Sequence, residues 1–157
     1  MYTGQRISLS ALSGLVRNSN AKLILDATHS AGVCDVDASL ADVVVSSCYK
    51  WLLGVHGTAV FYWNRDRFPE LKTPFLGWNS VSSAGGWRQP TSMTLREDAL
   101  RFVPGNPSFI SIYILNNALA TLMSVGLQHV ENHAHNLTDS LWAVSYTHLT
   151  LPTNREV

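Results

Sequence analysis

Two short apolar runs constrain this chain more than any other feature. "AKLILDA" (21–27) and "ADVVVSS" (41–47) lack the apolar–polar alternation of a strand with one wet face. Strands that are apolar on both sides must be covered on both, which is the condition of a parallel sheet packed between helices. A helix stands where such a fold needs one. "SLSALSGLVRNSN" (8–20) sets Leu9, Leu12, Leu15 and Val16 near one helical face, with Ser8 or Ser10 as N-cap. A third run, "TAVFYW" (58–63), follows the second strand after only the seven residues 51–57. A parallel crossover needs roughly a dozen or more, so this strand is expected to run antiparallel. The expected fold is α/β, a mixed, mostly parallel sheet flanked by helices.

Residues 64–100 carry Pro69, Pro74, Pro90, Gly77, Gly85 and Gly86 and read as irregular connection. A connection this long serves function or a partner's surface. Its Phe68, Phe75, Trp78 and Trp87 are expected to lie against a second subunit, the alternative being that they cover their own core. After "NPS" (106–108) a helical stretch runs to Gly126, a suitable C-cap, and a second helix follows with Leu127, Val130, Ala134, Leu137 and Leu141 on one face. The last residues, "VSYTHLTLPTNREV" (144–157), lose this spacing, and Pro152 would interrupt a helix. They resemble a one-frame translation of a transposase adapter used in sequencing libraries. The expected division is therefore a partial domain over 1–143 and a non-native tail over 144–157.

With 157 residues the chain can form one domain with a real core. Eleven basic residues balance eleven acidic ones and no basic stripe appears, which excludes nucleic acid and anionic membrane as main partners. Cys34 and Cys48 suit a reducing compartment better than a disulfide framework. No apolar run approaches the ~20 residues of a membrane span, and "MYTGQRISLS" has no signal-peptide pattern. A cytoplasmic location is expected.

The chemistry centres on Lys50 and Asp26. Each sits just past an apolar strand, Asp26 after "KLIL" and Lys50 after "VVVSSCY". In parallel α/β sheets ligands bind outside the carboxyl ends of the strands, so an acid and an amine can face one pocket there. A lysine held near apolar groups has its pKa lowered, which frees a lone pair for a Schiff base. A lysine whose stem snorkels to water beside a surface Asp is the alternative, and spacing alone favours it.

A longer match changes that balance. "LILDATHSAGVCDVDASLADVVVSSCYKWLLGVHGTAVFYW" resembles the core of the class V aminotransferase family, pyridoxal-phosphate enzymes of fold type I. The matching elements are Asp26-x-x-His29, the Gly32 turn, Asp37, Asp42, Ser47-x-Tyr49-Lys50-Trp51 and Gly54-x-x-Gly57. Downstream, "RFVPGNPSFISIYILNNALATLMSVG" resembles the family's RF-x-x-G-T-P loop and helix, with Asn106 in place of the threonine. The resemblance spans roughly residues 3–142. It implies that Lys50 forms the Schiff base and moves the proton at the substrate's α-carbon, and that Asp26 pairs with the pyridine nitrogen. It implies that His29 contacts the ring hydroxyl, that Ser47 and Tyr49 contact the phosphate, and that Asn106 reaches a phosphate across a dimer interface. It further implies an amino-acid substrate and a homodimer. Transamination, desulfuration, epimerisation and elimination all remain open. Relatives take their ring-stacking aromatic from an upstream segment and their carboxylate-binding arginine from a C-terminal domain, so this chain alone is expected to be inactive.

Other candidates carry less. His129 and His133 sit at i, i+4 but lack a third metal ligand, so no metal is expected. Cys48 reads as a small core residue, and no cysteine on a later loop matches that of the cysteine desulfurases. "NLT" (136–138) matches a glycosylation sequon but means nothing without secretion, and Gly85-Gly86 is a turn. A nicotinamide-binding domain fails for want of G-x-G-x-x-G after a strand. The rival from another class is a noncatalytic α/β module that binds a phosphorylated ligand or a protein partner.

Overall fold

The computed structural model describes residues 5–82 and 93–150, with side chains to Tyr146. Its elements run α1 (Leu9–Arg17), β1 (Ile24–Asp26), β2 (Val43–Ser47), β3 (Ala59–Trp63), α2 (Phe109–Val125) and α3 (Leu127–Thr150). Strand order is β1-β2-β3. The β1–β2 pair is parallel, with Asp26 opposite Val45, and the β2–β3 pair is antiparallel, with Ser47 opposite Ala59. The short 51–57 connection thus does what its length allows and returns the chain beside β2 in reverse.

Helix α1 starts at Ser8, whose Oγ accepts from the Ala11 N–H at 3.3 Å. Its inward face is Leu9, Leu12, Ser13 and Val16, spaced i, i+3, i+4, i+7. Leu15 falls two positions past Ser13, off that stripe, and is 75% exposed. One core cluster joins Ala27, Ala41 and Val44, with Leu23, Leu25 and Val36 packed around them. A second joins Cys48, Leu52 and Leu115 of α2. The amino ends of the strands are pinned by Asp42, which accepts from the Leu23 N–H at 2.7 Å and stands 3.8 Å from both Lys22 and Arg67.

Helices α2 and α3 meet at Gly126 (φ +88) with a bend of 76°. Val130 and Ala134 are half-buried, but Leu137 and Leu141 are exposed. The apolar face expected for α3 is therefore used only over its first turns. Nor does the lost spacing after 143 end the helix, which continues to Thr150. Propagation needs no apolar face once a helix is nucleated, and residues 127–150 contain neither Gly nor Pro. No single helix among the described residues is long and apolar enough to cross a membrane.

The 64–100 connection divides. Phe68 covers its own domain: its carbonyl accepts from Trp63 Nε1 at 2.6 Å, and Lys22 Nζ lies 4.7 Å from its ring centroid. Gly77 lies so close to Pro104 that a Cβ would stand 1.9 Å from the Pro104 carbonyl oxygen. Phe75 and Trp78 are 74% and 56% exposed. Gly85, Gly86, Trp87 and Pro90 lie outside the described residues.

Candidate active site

Strands β1 and β2 are parallel neighbours, so their carboxyl ends open on the same edge of the sheet. Asp26 is the last residue of β1. The chain turns there because Asp26 Oδ1 accepts from the Thr28 N–H at 2.9 Å, an Asx turn that lifts the backbone off the sheet. Thr28 Oγ1 in turn accepts from the Ser47 N–H at 3.0 Å, tying the end of β1 to the end of β2. The Thr28 hydroxyl keeps its own proton to donate. Hydrogen bonds from Thr28, side chain first and backbone second, hold Asp26 below the usual carboxylate range, and His29 and Lys50 add to this. Asp26 is thus an exposed, firmly ionised carboxylate at neutral pH.

Lys50 reaches the same place from β2. Its Nζ stands 2.6 Å from Nε2 of His29 and 5.6 Å from the Tyr49 ring centroid. Tyr49 is stacked on His56, with centroids 4.1 Å apart and planes 20° from parallel. The lysine is half-buried. Two further features hold this geometry. Leu53 takes φ +57 and donates its N–H to the Lys50 carbonyl at 3.0 Å, closing the turn after the lysine. Gly32 (φ +97) lets the 27–35 loop lie against Trp51, where a Cβ would stand 2.3 Å from the Trp51 carbonyl oxygen. That approach keeps His29 over Lys50.

The structure therefore brings His29 onto Lys50 beside Asp26 and sets Ser47 and Tyr49 on the adjoining end of β2, Ser47 through its N–H on Thr28 and Tyr49 beside Lys50. It does not bring in Asn106, which is exposed on the loop entering α2 and shares none of these hydrogen bonds. Cys48 is fully buried against Leu52 and Leu115, and burial pushes its thiol pKa up, the wrong direction for a nucleophile. Sequence reasoning missed Thr28 and His56. The D-x-T spacing, which favours an Asx turn, was a usable signal for the first; nothing local marks the second. Beside Asp26 and His29 opens a cavity of about 630 Å³, with Leu9, Leu12 and Leu25 among its walls. Among the described residues no group of three His, Cys, Asp or Glu could hold a metal.

The set suits a pyridine-type aldehyde. An ionised carboxylate can hold a protonated ring nitrogen, a primary amine can meet a carbonyl carbon, and hydroxyls at a strand end can meet a phosphate. Comparison with known proteins decides which such family this is, because a family model described as aminotransferase class V matches residues 2–144. The chain belongs to the class V aminotransferase family. Among its relatives is the uncharacterised aminotransferase YcbU of Bacillus subtilis (strain 168), 28% identical over 127 residues, or 80% of this chain and 33% of that protein. The kynureninase of Deinococcus radiodurans is 28% identical over 141 residues, 88% of this chain and 34% of that one. The apo cysteine desulfurase from Thermococcus onnurineus NA1 superposes with a TM-score of 0.76 at 23% identity, covering 92% of this chain and 36% of that chain. The fold is thus part of a fold type I domain, and this class V chain spans about a third of the length of the curated relatives it matches.

Proposed function

We propose that this class V aminotransferase chain carries the lysine and the acid of a pyridoxal-phosphate-dependent enzyme that acts on amino acids. The observation that carries the proposal is the joint placement of an ionised Asp26 and a half-buried Lys50, its Nζ 2.6 Å from His29, at the carboxyl ends of two adjoining strands. When bound, pyridoxal phosphate supplies an aldehyde for imine exchange and a ring that accepts electrons from the substrate's α-carbon. Lys50 Nζ would hold the cofactor covalently and then move the α-proton. Asp26 would keep the ring nitrogen protonated. His29 Nε2 would orient the amine and reach the ring hydroxyl. Ser47 and Tyr49, with Asn106 from a second subunit, would hold the phosphate. Transaminase, desulfurase, epimerase and lyase chemistry all fit this set.

The test is labelling. Pyridoxal phosphate added to the full-length protein should give a visible absorbance that borohydride abolishes, with the reduced label mapped to Lys50. Label no heavier at Lys50 than at the exposed Lys22 and Lys72 would leave the noncatalytic module as the better account.

The intact enzyme is proposed to be a cytoplasmic homodimer whose second subunit covers Phe75 and Trp78. The area of large apolar side chains exposed there supports this. Light scattering should find a dimer; a strict monomer at micromolar concentration would remove the proposal. Residues 144–157 lie outside this reading, as a proposed foreign tail.

A further inference from the structure

Glu131 is out of character for its helix. It lies in the second turn of α3, among exposed polar neighbours, yet is only 7% exposed. A carboxylate that leaves water must find donors, or it is neutralised or expelled. Here Oε2 accepts from the Asp35 N–H at 2.9 Å, Oε1 takes the Arg6 guanidinium, and His135 Nε2 stands 3.6 Å from Oε1. The Asp35 N–H first and Arg6 second hold Glu131 below the usual glutamate range, so it is ionised at neutral pH.

The partner that matters is Asp35. It ends the loop that begins after Asp26, carries His29 and turns at Gly32 against Trp51. The near end of this loop is fixed by the sheet, through the Ala27 N–H to the Val45 carbonyl at 2.7 Å. The far end is fixed from outside the sheet, by Glu131 on the Asp35 N–H and by Arg6 Nη2 on the Asp35 carbonyl at 3.3 Å. The two backbone groups of one residue are thus gripped by an ion pair whose members lie 125 residues apart.

We infer that Glu131 is a positioning residue: from α3 it anchors the loop that sets His29 against Lys50. What the loop is for rests on the function proposed above; the anchoring does not. Loss of the anchor leaves the far end of the loop with the 3.3 Å contact from Arg6 to the Asp35 carbonyl and the loop's own turn hydrogen bonds, around Gly32, the residue with most backbone freedom.

Three variants of this chain separate anchoring from general stability. Glu131→Ala removes the acceptor. Glu131→Gln keeps an oxygen for the Asp35 N–H but turns an amide towards Arg6, and Arg6→Met removes both the cation and its hydrogen bond to the Asp35 carbonyl while leaving the Glu131 acceptor. Hydrogen exchange read by mass spectrometry should speed at least about tenfold within 27–35 in Glu131→Ala, with residues 43–47 and 109–122 unchanged. In Glu131→Gln the loop should stay within about twofold of the parent chain, and in Arg6→Met, which loses the contact to the Asp35 carbonyl but keeps the acceptor for its N–H, it should loosen less than in Glu131→Ala. Borohydride-trapped pyridoxal phosphate at Lys50, measured against Lys22 and Lys72, should fall about threefold or more in Glu131→Ala and recover in Glu131→Gln.

Unchanged exchange in 27–35 would overturn the inference, as would equal acceleration throughout the chain. Should Glu131→Ala fail to fold, Glu131→Gln carries the test, and exchange in its 27–35 loop raised about tenfold or more over the parent chain would overturn the inference as well. A loop that loosens as expected, in a chain whose Lys50 never labels above Lys22, would keep the anchor and sink the cofactor reading instead.

Discussion

Lys50→Ala in the full-length protein is expected to abolish the borohydride-sensitive absorbance and to lower turnover by about 10³-fold or more, roughly 4 kcal/mol of barrier. The size follows from two losses in one atom. Nζ reaches the Asp26 edge beside His29, and in the proposed reading this one atom would both hold the aldehyde covalently and take the α-proton. The fold should survive. Lys50 is half-buried, its hydrogen bond goes to an exposed histidine, and it belongs to neither core cluster. Circular dichroism and the thermal midpoint should match the parent, while the spectrum and the rate collapse. A Lys50→Ala variant that keeps both absorbance and turnover refutes lysine-dependent chemistry.

Asp26→Asn should cost on the order of 10²-fold to 10³-fold in the rate of α-proton removal, roughly 3–4 kcal/mol, with cofactor still bound. An asparagine oxygen can replace Oδ1 as acceptor for the Thr28 N–H, so the turn that lifts the loop off the sheet is kept. What disappears is the charge. In the proposed reading a ring nitrogen held by Asp26 would lose its counter-ion to a neutral amide, and the electron-accepting power the cofactor supplies would fall. The pH sign can be stated. Asp26 is held below its ordinary value of 3.8, so its charge is present above that value and is lost only as pH falls through the lower folded one. Ring protonation owed to Asp26 should therefore show no titration between pH 5 and pH 8. A wild-type rate in Asp26→Asn would show that the carboxylate has another task.

Much of this was readable from residues alone, and the misses have physical causes. The unalternating "KLIL" and "VVV" runs and the seven-residue 51–57 connection fixed a parallel pair with an antiparallel neighbour, because burial and loop reach leave few other arrangements. Strand ends drew attention to Lys50 and Asp26, but spacing alone favoured a surface lysine, and it was the longer motif resemblance that singled them out. Leu15, Leu137 and Leu141 were misplaced because apolar spacing states which residues could share a face, not whether anything covers it. Thr28 escaped notice since its work is to join two strand ends, and pairing partners are not written locally. Glu131 was invisible for the same reason: its partners lie 96 and 125 residues away. Phe68 and Phe75, seven apart in one irregular segment, differ in fate because tertiary contacts and not composition decide which aromatic turns inward.

Asp42 has a consequence of another kind. It gathers Lys22, Arg67 and the Leu23 N–H at the amino ends of the strands whose carboxyl ends hold Asp26 and Lys50. At ~3.3 Å per residue, strands this short set the two clusters roughly 10–15 Å apart, beyond the ~8 Å screening length that governs an exposed charge such as Lys22 at physiological ionic strength. The Lys22 charge is thus largely screened from Lys50, while the buried Asp42 carboxylate is screened much less. The charge of Lys22 can therefore drift, or be redesigned for solubility, with little change in the potential at the amine, whereas Asp42 must stay to hold the Leu23 N–H. The acid beside Lys50 has no such latitude.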